Sequence, residues 1–299
     1  MKMHWQGVIP AITTPFTENL SVDHAFFAKH CSWMIDSGCT GIVALGSLGE
    51  GATLALDEKV AVLKTAVQAI GNRVPVIAGI SALSTAEAVT LAKSAEQAGC
   101  RGLMVLPPYV YLGDWRETKA HIAAILSATK LSSMLYNNPI AYKVDFVPEQ
   151  VKELVSEHPN LEAIKESSAD IRRVAALRIL MNPEFKILVG VDDGIVEAIE
   201  MGAVGWIAGL VNAFPVESVA LFNLASAGKK QQAFELYKWF LPLLRMDTVP
   251  KFVQLIKLAQ EVVGQGSARV RPPRLTLEGA ELAEARKTIA GALAVRPKL

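Results

Sequence analysis

The chain has 299 residues, 51% hydrophobic and 20% charged, and its 30 basic and 29 acidic side chains leave a net charge of +1. That length holds one large domain or two ordinary ones, and the composition excludes disordered, collagen-like and low-complexity classes. Without a basic excess to track a phosphate backbone, nucleic acid is not an expected partner.

Met1 to Trp5 carries no apolar run, so no signal peptide is expected, and no uncharged apolar stretch of about 18 residues occurs to predict a membrane span. Short runs rich in Val, Ile and Leu then recur at 7–14, 41–46, 74–80, 102–106, 133–137, 161–166, 186–191 and 205–210. They do not alternate apolar with polar residues, which marks strands buried on both faces of a parallel sheet. Amphipathic stretches at 23–36, 57–70, 85–97, 115–128, 147–156, 170–180, 194–201 and 215–227 predict a helix after each run, with Ser84, Asp114 and Ser168 as N-caps.

One connection occurs three times. Ser37-Gly38-Cys39-Thr40-Gly41, Ala98-Gly99-Cys100-Arg101-Gly102 and Met201-Gly202-Ala203-Val204-Gly205 each place one glycine after a helix, where a left-handed cap is needed. A second glycine opens the following strand, where helix and sheet come close. Eight such units predict a (β/α)8 TIM barrel over residues 1–228. Helices expected at 229–245, 249–263 and 277–293 make residues 229–299 a three-helix C-terminal extension, with a loop at 264–273. No G-x-G-x-x-G follows the first strand, so a dinucleotide cofactor is not expected.

A barrel of this kind carries its active site at the C-terminal ends of its strands. The polar residues there are Thr13, Thr14, Ser47, Glu50, Ser81, Tyr109, Tyr111, Tyr136, Asn137, Asn138, Lys165, Glu166, Asp192, Asp193 and Asn212. His4, His24, His30, His121 and His158 all fall before the first strand or on helices, so no metal site is expected. Asp192 and Asp193 oppose an anion where a phosphate site would form, which disfavours a phosphorylated substrate. Cys31, Cys39 and Cys100 are odd in number and lack metal spacing, and they read as buried, reduced thiols of a cytoplasmic protein.

Lys165 is the one basic residue at a strand end, and its neighbours Ala163 and Ile164 are apolar. Desolvation disfavours a charged amine in a dry barrel mouth, and a neutral amine can attack a carbonyl to form a Schiff base. The competing reading is an ion pair with Glu166 or Asp192. Strand alternation does not decide which way Lys165 points, because both faces are buried. Tyr136 can shuttle protons to the resulting carbinolamine or serve as a core tyrosine. The turn Gly46-Ser47-Leu48-Gly49-Glu50 can receive a carboxylate on its N–H groups and hydroxyl or serve as an ordinary glycine-rich turn.

Gly46-Ser47-Leu48-Gly49-Glu50, Tyr136-Asn137-Asn138-Pro139, Ile164-Lys165-Glu166 and Gly190-Val191-Asp192-Asp193 occur in that order. Together they resemble the dihydrodipicolinate synthase / N-acetylneuraminate lyase superfamily, over essentially the whole chain. The resemblance implies a barrel with a helical C-terminus, usually a homotetramer, and a small-molecule substrate. It implies that Lys165 is the Schiff-base lysine, Tyr136 the proton shuttle and Ser47 part of the catalytic set. It further implies a substrate pocket formed by Gly46, Leu48, Asn138, Gly190 and Ile207. A non-catalytic barrel that binds a small acid would lack the lysine or the tyrosine, and both are present.

Three departures bear on substrate. Leu48 replaces a second hydroxyl residue, Ala141 replaces an arginine that secures the charged aldehyde partner, and Tyr109-Val110 replaces a tyrosine pair whose second member reaches a neighbouring subunit. The proton relay of the synthase and the sialate lyase is therefore expected to be incomplete. Ala141-Tyr142, Trp239-Phe240-Leu241-Pro242-Leu243-Leu244 and Val253-Gln254-Leu255-Ile256-Lys257-Leu258 are similar to the 1-pyrroline-4-hydroxy-2-carboxylate deaminase branch. The expected reaction is dehydration and deamination of that cyclic imine to 2-oxoglutarate semialdehyde and ammonia. The alternative is a pyruvate-dependent lyase, aldolase or dihydrodipicolinate synthase-type condensation.

Overall fold

The structure, a computed structural model, describes residues 3–299; Met1 and Lys2, the start of the segment expected to lack a leader, lie outside the described residues. Eight strands follow one another as β1 (Gly7–Pro10), β2 (Ile42–Ala44), β3 (Val76–Ile80), β4 (Gly102–Val105), β5 (Ser132–Asn137), β6 (Leu161–Glu166), β7 (Lys186–Val189) and β8 (Gly205–Ala208). All are parallel, each paired with its neighbours in chain order, and β8 pairs with β1. A single parallel bridge, Ala11 to Val43, joins β1 to β2 and brings the sheet close to full closure. The result is a (β/α)8 TIM barrel with helices beyond it at the C-terminus.

The surrounding helices are α1 (His24–Asp36), α2 (Leu56–Ile70), α3 (Thr85–Gln97), α4 (Trp115–Ser127), α5 (Pro139–Tyr142), α6 (Pro148–Glu157), α7 (Arg172–Leu180), α8 (Ile195–Glu200) and α9 (Pro215–Ser226). Ser84 and Asp114 cap α3 and α4 as expected, accepting from the N–H groups of Glu87 and Glu117. Ser168 does not cap α7, which begins at Arg172. Ser168 Oγ instead accepts from Asp170 N at 3.3 Å, and Asp170 Oδ1 from Arg172 N at 3.1 Å, while Ile171 holds the N-cap position without a side-chain hydrogen bond. The strands are also shorter than expected. Thr13 and Thr14 lie past β1, and the runs ending at 191 and 210 turn into 3₁₀ segments, Asp192–Gly194 and Leu210–Asn212.

The core explains the sequence pattern. Every residue of β3, Val76 to Ile80, is buried, with the barrel interior on one side and helices on the other. The repeated connections behave as read: Gly38, Gly99 and Gly202 have φ of +100°, +93° and +102°. A Cβ on Gly205 would lie 2.8 Å from the Leu188 side chain, which is why a glycine opens β8. Cys31, Cys39 and Cys100 are free and buried, and burial pushes the Cys39 and Cys100 thiols up to about 12.

Beyond the barrel come α10 (Lys230–Leu244), a 3₁₀ turn (Arg245–Asp247), α11 (Phe252–Val262) and α12 (Gly279–Ala294). α11 lies across the C-terminal ends of β1 and β2, where Lys257 Nζ donates to Glu50 Oε1 at 2.5 Å and Gln260 Oε1 accepts from Thr13 Oγ1 at 2.8 Å. The extension is thus tied to the barrel mouth. Among the described residues, no helix is long and apolar enough to cross a membrane.

Candidate active site

Lys165 and Tyr136 are register partners across β6 and β5. Partner residues on adjacent parallel strands project from the same face, so Lys165 and Tyr136 share one side of the sheet. Lys165 is 6% and Tyr136 5% exposed, and Lys165 Nζ stands 4.1 Å from the centroid of the Tyr136 ring. The next residues, Glu166 and Asn137, face the opposite way. Glu166 Oε2 accepts from Asn137 Nδ2 at 3.0 Å and Glu166 Oε1 from Ser168 N at 2.6 Å. Burial raises the Glu166 carboxyl, and its hydrogen bonds hold it in place. Among the described residues Lys165 joins no salt bridge with Glu166 or Asp192, which removes the simple ion-pair reading.

Gly190, at the end of β7, makes room for the lysine. A Cβ there would overlap Lys165 Cε and Ser167 Oγ and lie 3.0 Å from Lys165 Cδ. Ser167 is 3% exposed and its hydroxyl has no hydrogen-bond partner. A buried unpaired hydroxyl beside the lysine stem is a candidate substrate contact. Sequence reading missed Ser167 because it lies past the strand end, one residue beyond the motif.

The expectation of purely apolar surroundings for Lys165 is corrected by two carboxyls. Asp192 is fully buried and accepts from Trp206 Nε1 (2.8 Å), Gly209 N (3.1 Å) and Leu210 N (2.8 Å). Burial raises it from 3.8 to about 6 against the pull of those bonds and of the Lys165 charge. Asp247, from the 3₁₀ turn after α10, packs on Gly209, so closely that a Cβ there would overlap its carboxyl. Burial and the Asp192 charge hold Asp247 well above the usual carboxylate range, opposed by Lys165. Asp193 has different surroundings from Asp192. It is partly exposed, with Arg245 Nε 3.8 Å from its Oδ2.

The strand-2 turn is held in an unusual backbone shape. Leu45 and Glu50 at its ends have φ of +66° and +53°, a left-handed conformation that costs non-glycine residues about 1–2 kcal/mol each. Glu50, 0% exposed, anchors the turn through Lys257 Nζ and by accepting from Arg271 N at 2.9 Å. Burial lowers the Lys257 amine to about 8. Leu48 is buried at 3% exposure, while Ser47 is half-buried and hydrogen-bonds the Tyr142 hydroxyl.

Tyr142 carries no catalytic signal of its own in the sequence. It ends the short helix α5, which Asn138 and Pro139 start. Its ring lies edge-on to those of Tyr136 (5.6 Å) and Tyr109 (5.5 Å). Within a single chain the Ser47 and Tyr142 hydroxyls thus bond each other and the Tyr142 ring packs on that of Tyr136, over which Lys165 Nζ stands, while Val110 is 90% exposed. Burial, then Tyr136 and Tyr109, raise the Tyr142 phenol, which stays protonated at neutral pH. Asn138 Nδ2 donates to the Tyr136 hydroxyl at 3.0 Å and Asn138 Oδ1 accepts from Ala141 N at 3.0 Å. Both ends of that amide hold the tyrosines.

Other strand-end residues are engaged elsewhere. Thr13 and Asn212 bond each other and reach His30 and Gln260 in a buried network beneath α11. Tyr111 is 55% exposed and donates to Glu117. Ile207 is buried on β8, with Ile9 as its register partner. Among the described residues, no three His, Cys, Asp or Glu side chains gather as for a metal ion.

The dihydrodipicolinate synthetase family model matches residues 4–292. The chain belongs to that family. It is 35% identical over 277 residues to a 4-hydroxy-tetrahydrodipicolinate synthase of Agrobacterium fabrum, covering 92% of this chain and 94% of the relative. The synthase of Rhizobium meliloti is 35% identical over 272 residues, covering 91% and 92%. Among solved structures, YagE, an E. coli K12 prophage protein of the family in complex with pyruvate, superposes with a TM-score of 0.91 at 27% identity, covering 97% of this chain and 99% of YagE. The synthase from Methylacidiphilum fumariolicum gives 0.91 at 30% identity, covering 97% and 98%. Members of this family are lysine Schiff-base lyases and synthases, and the protein is an enzyme of that superfamily.

Proposed function

We propose that Lys165 attacks the imine carbon of 1-pyrroline-4-hydroxy-2-carboxylate and that the enzyme converts this ring to 2-oxoglutarate semialdehyde and ammonia. The observation that carries the Schiff-base step is the Lys165 amine, buried, free of salt bridges and standing over the Tyr136 ring. The ring carbon C2 is already at the oxidation level of a 2-oxo acid. Attack there and opening of the C2–N bond leave a lysine imine. That imine acidifies C3, whose proton is removed to give an enamine. The enamine expels the C4 hydroxyl as water. After tautomerisation, the amine on C5 becomes an imine. Water hydrolyses this imine to ammonia and an aldehyde, and a second water releases the product from Lys165. One water enters in net terms. Tyr136, with Tyr142 and Ser47 behind it, moves protons at the carbinolamine oxygen and nitrogen. The turn at Gly46 and Ser47 receives the substrate carboxylate, with Leu48, Gly190 and Ile207 as apolar walls.

Substrate choice rests on the charge of the mouth. Two cations around the mouth are committed: Lys257 to Glu50, and Arg173 to Asp145. Asp192 and Asp247 lie beside Lys165, and Ala141 supplies no charge. That suits a compact monocarboxylate with a hydroxyl to lose better than a partner bearing a second carboxylate. The second reading, condensation of pyruvate with an aldehyde, is favoured by the names of the relatives. Ammonia release from the hydroxypyrroline carboxylate tests the choice. Release supports the deaminase, and its absence alongside consumption of pyruvate and an aldehyde establishes the condensation.

A further inference from the structure

The C-terminal extension brings into the barrel mouth a carboxyl that no sequence motif pointed to. Asp247 stands on the 3₁₀ turn Arg245–Asp247, between α10 and α11. Its carboxyl rests on Gly209, one residue past β8, where a side chain on residue 209 would overlap it. Asp192 holds the same residue by accepting from Gly209 N at 3.1 Å. Both carboxyls thus meet at Gly209, and both feel the charge of Lys165. They differ in one respect. Asp192 is sealed by three donors, whereas Asp247 remains half-buried and is acted on by burial and neighbouring charges with no hydrogen bond. A half-buried carboxyl at the strand end that no donor among the described residues claims is free to meet a bound ligand.

We propose that Asp247 is the general acid that protonates the C4 hydroxyl as it leaves. The proposal rests on the deaminase reading above, since pyruvate has no such group. In the step, the C3–H electrons pass through the enamine into the new C3–C4 double bond. The C4–O bond breaks with its pair on oxygen, the Asp247 proton completes water, and the proton taken from C3 balances the one given. Asp192 enables the role: a second carboxylate so near makes ionisation of Asp247 costly, so the acid keeps its proton until the oxygen becomes basic. Like carboxyls with unlike surroundings divide the work, Asp192 as the fixed neighbour and Asp247 as the donor.

The test uses the full-length enzyme and Asp247→Asn, with Asp247→Ser as a second variant should the first misfold. Three rates are measured: ammonia release from the hydroxypyrroline carboxylate, deuterium exchange into the pyruvate methyl group, and chloride release from the 4-chloro analogue, whose leaving group needs no proton. The proposal expects ammonia release to fall by at least about 100-fold. Exchange, which needs only Lys165 and the C3 base, stays within a small factor of wild type, and so does chloride release. Ammonia release near the wild-type rate would overturn the proposal. So would an equal loss of all three rates, which marks a positioning role. A wild-type enzyme that releases no ammonia at all overturns the deaminase reading and the proposal with it, a failure distinct from one confined to the variant.

Discussion

Replacing Gly190 by alanine tests the packing on which the lysine depends. The added methyl would overlap Lys165 Cε and lie 3.0 Å from Lys165 Cδ, with the Ser167 hydroxyl crowding the same spot. Gly190 is not among the positive-φ glycines, so the backbone accepts alanine and the whole conflict falls on side chains. Overpacking a tight core costs about 1–3 kcal/mol, and Gly→Ala returns about 0.4–1 through the unfolded chain. A net loss of about 1–2 kcal/mol corresponds to a melting temperature lower by about 2–8 °C at this size. The functional loss is larger than the stability loss. The stem of Lys165 has to swing off the Tyr136 ring, and a displacement of about 1 Å at the reacting atom costs about 100-fold. The assay is single-turnover borohydride trapping with pyruvate, beside a melting curve. A Gly190→Ala enzyme that melts normally and traps pyruvate at the wild-type rate would refute the placement of Lys165 against Gly190.

Three further outcomes follow from the same structure. Burial lowers His30 from 6.5 to about 4, so the unfolded chain binds the extra proton between those values. The stability tied to His30 is complete above pH 6.5 and lost as pH falls toward 4, by about 3 kcal/mol. His30→Gln should flatten that part of the melting-temperature profile, and parallel profiles for variant and wild type would contradict it. Tyr142→Phe keeps the ring contacts with Tyr136 and Tyr109 but removes the link to Ser47. Turnover should fall by about 100-fold with the melting temperature held, and near-normal turnover would remove Tyr142 from the relay. Lys257→Met leaves Glu50 buried at 0% exposure without its closest cation and should cost about 3–5 kcal/mol in urea unfolding. Arg271 N and Arg274, 3.9 Å away, place the loss at the lower end, and adding Glu50→Gln should recover part of it.

The barrel was legible because its physics repeats. Strands buried on both faces must be apolar throughout, and Gly38, Gly99 and Gly202 mark a turn used three times. Lys165 was legible because a lone cation at a strand end has few ordinary explanations. What escaped depended on geometry that no local pattern carries. Tyr142 enters the site only because Asn138 and Pro139 start a single helical turn that Lys143 ends at a φ of +62°. Asp247 reaches Gly209 from the far side of α10, and no periodicity links a 3₁₀ turn in the extension to the end of β8. Ser168 looked like a cap because it precedes a helical pattern, but the chain spends three more residues, Ala169 in a left-handed conformation among them, before α7 begins. The polar strand-end inventory mixed two populations, the group around Lys165 and the Thr13, His30, Asn212 and Gln260 network that fastens α11. Only tertiary contacts separate them.

The central claim concerns one nitrogen. Incubating the folded enzyme with pyruvate or the hydroxypyrroline carboxylate, reducing with borohydride and mapping the digest by mass spectrometry reads it out directly. The account predicts a reduced adduct on the peptide holding Lys165 and none on Lys257, the other buried amine among the described residues. An adduct elsewhere, or none on Lys165 while the protein remains folded, would contradict it.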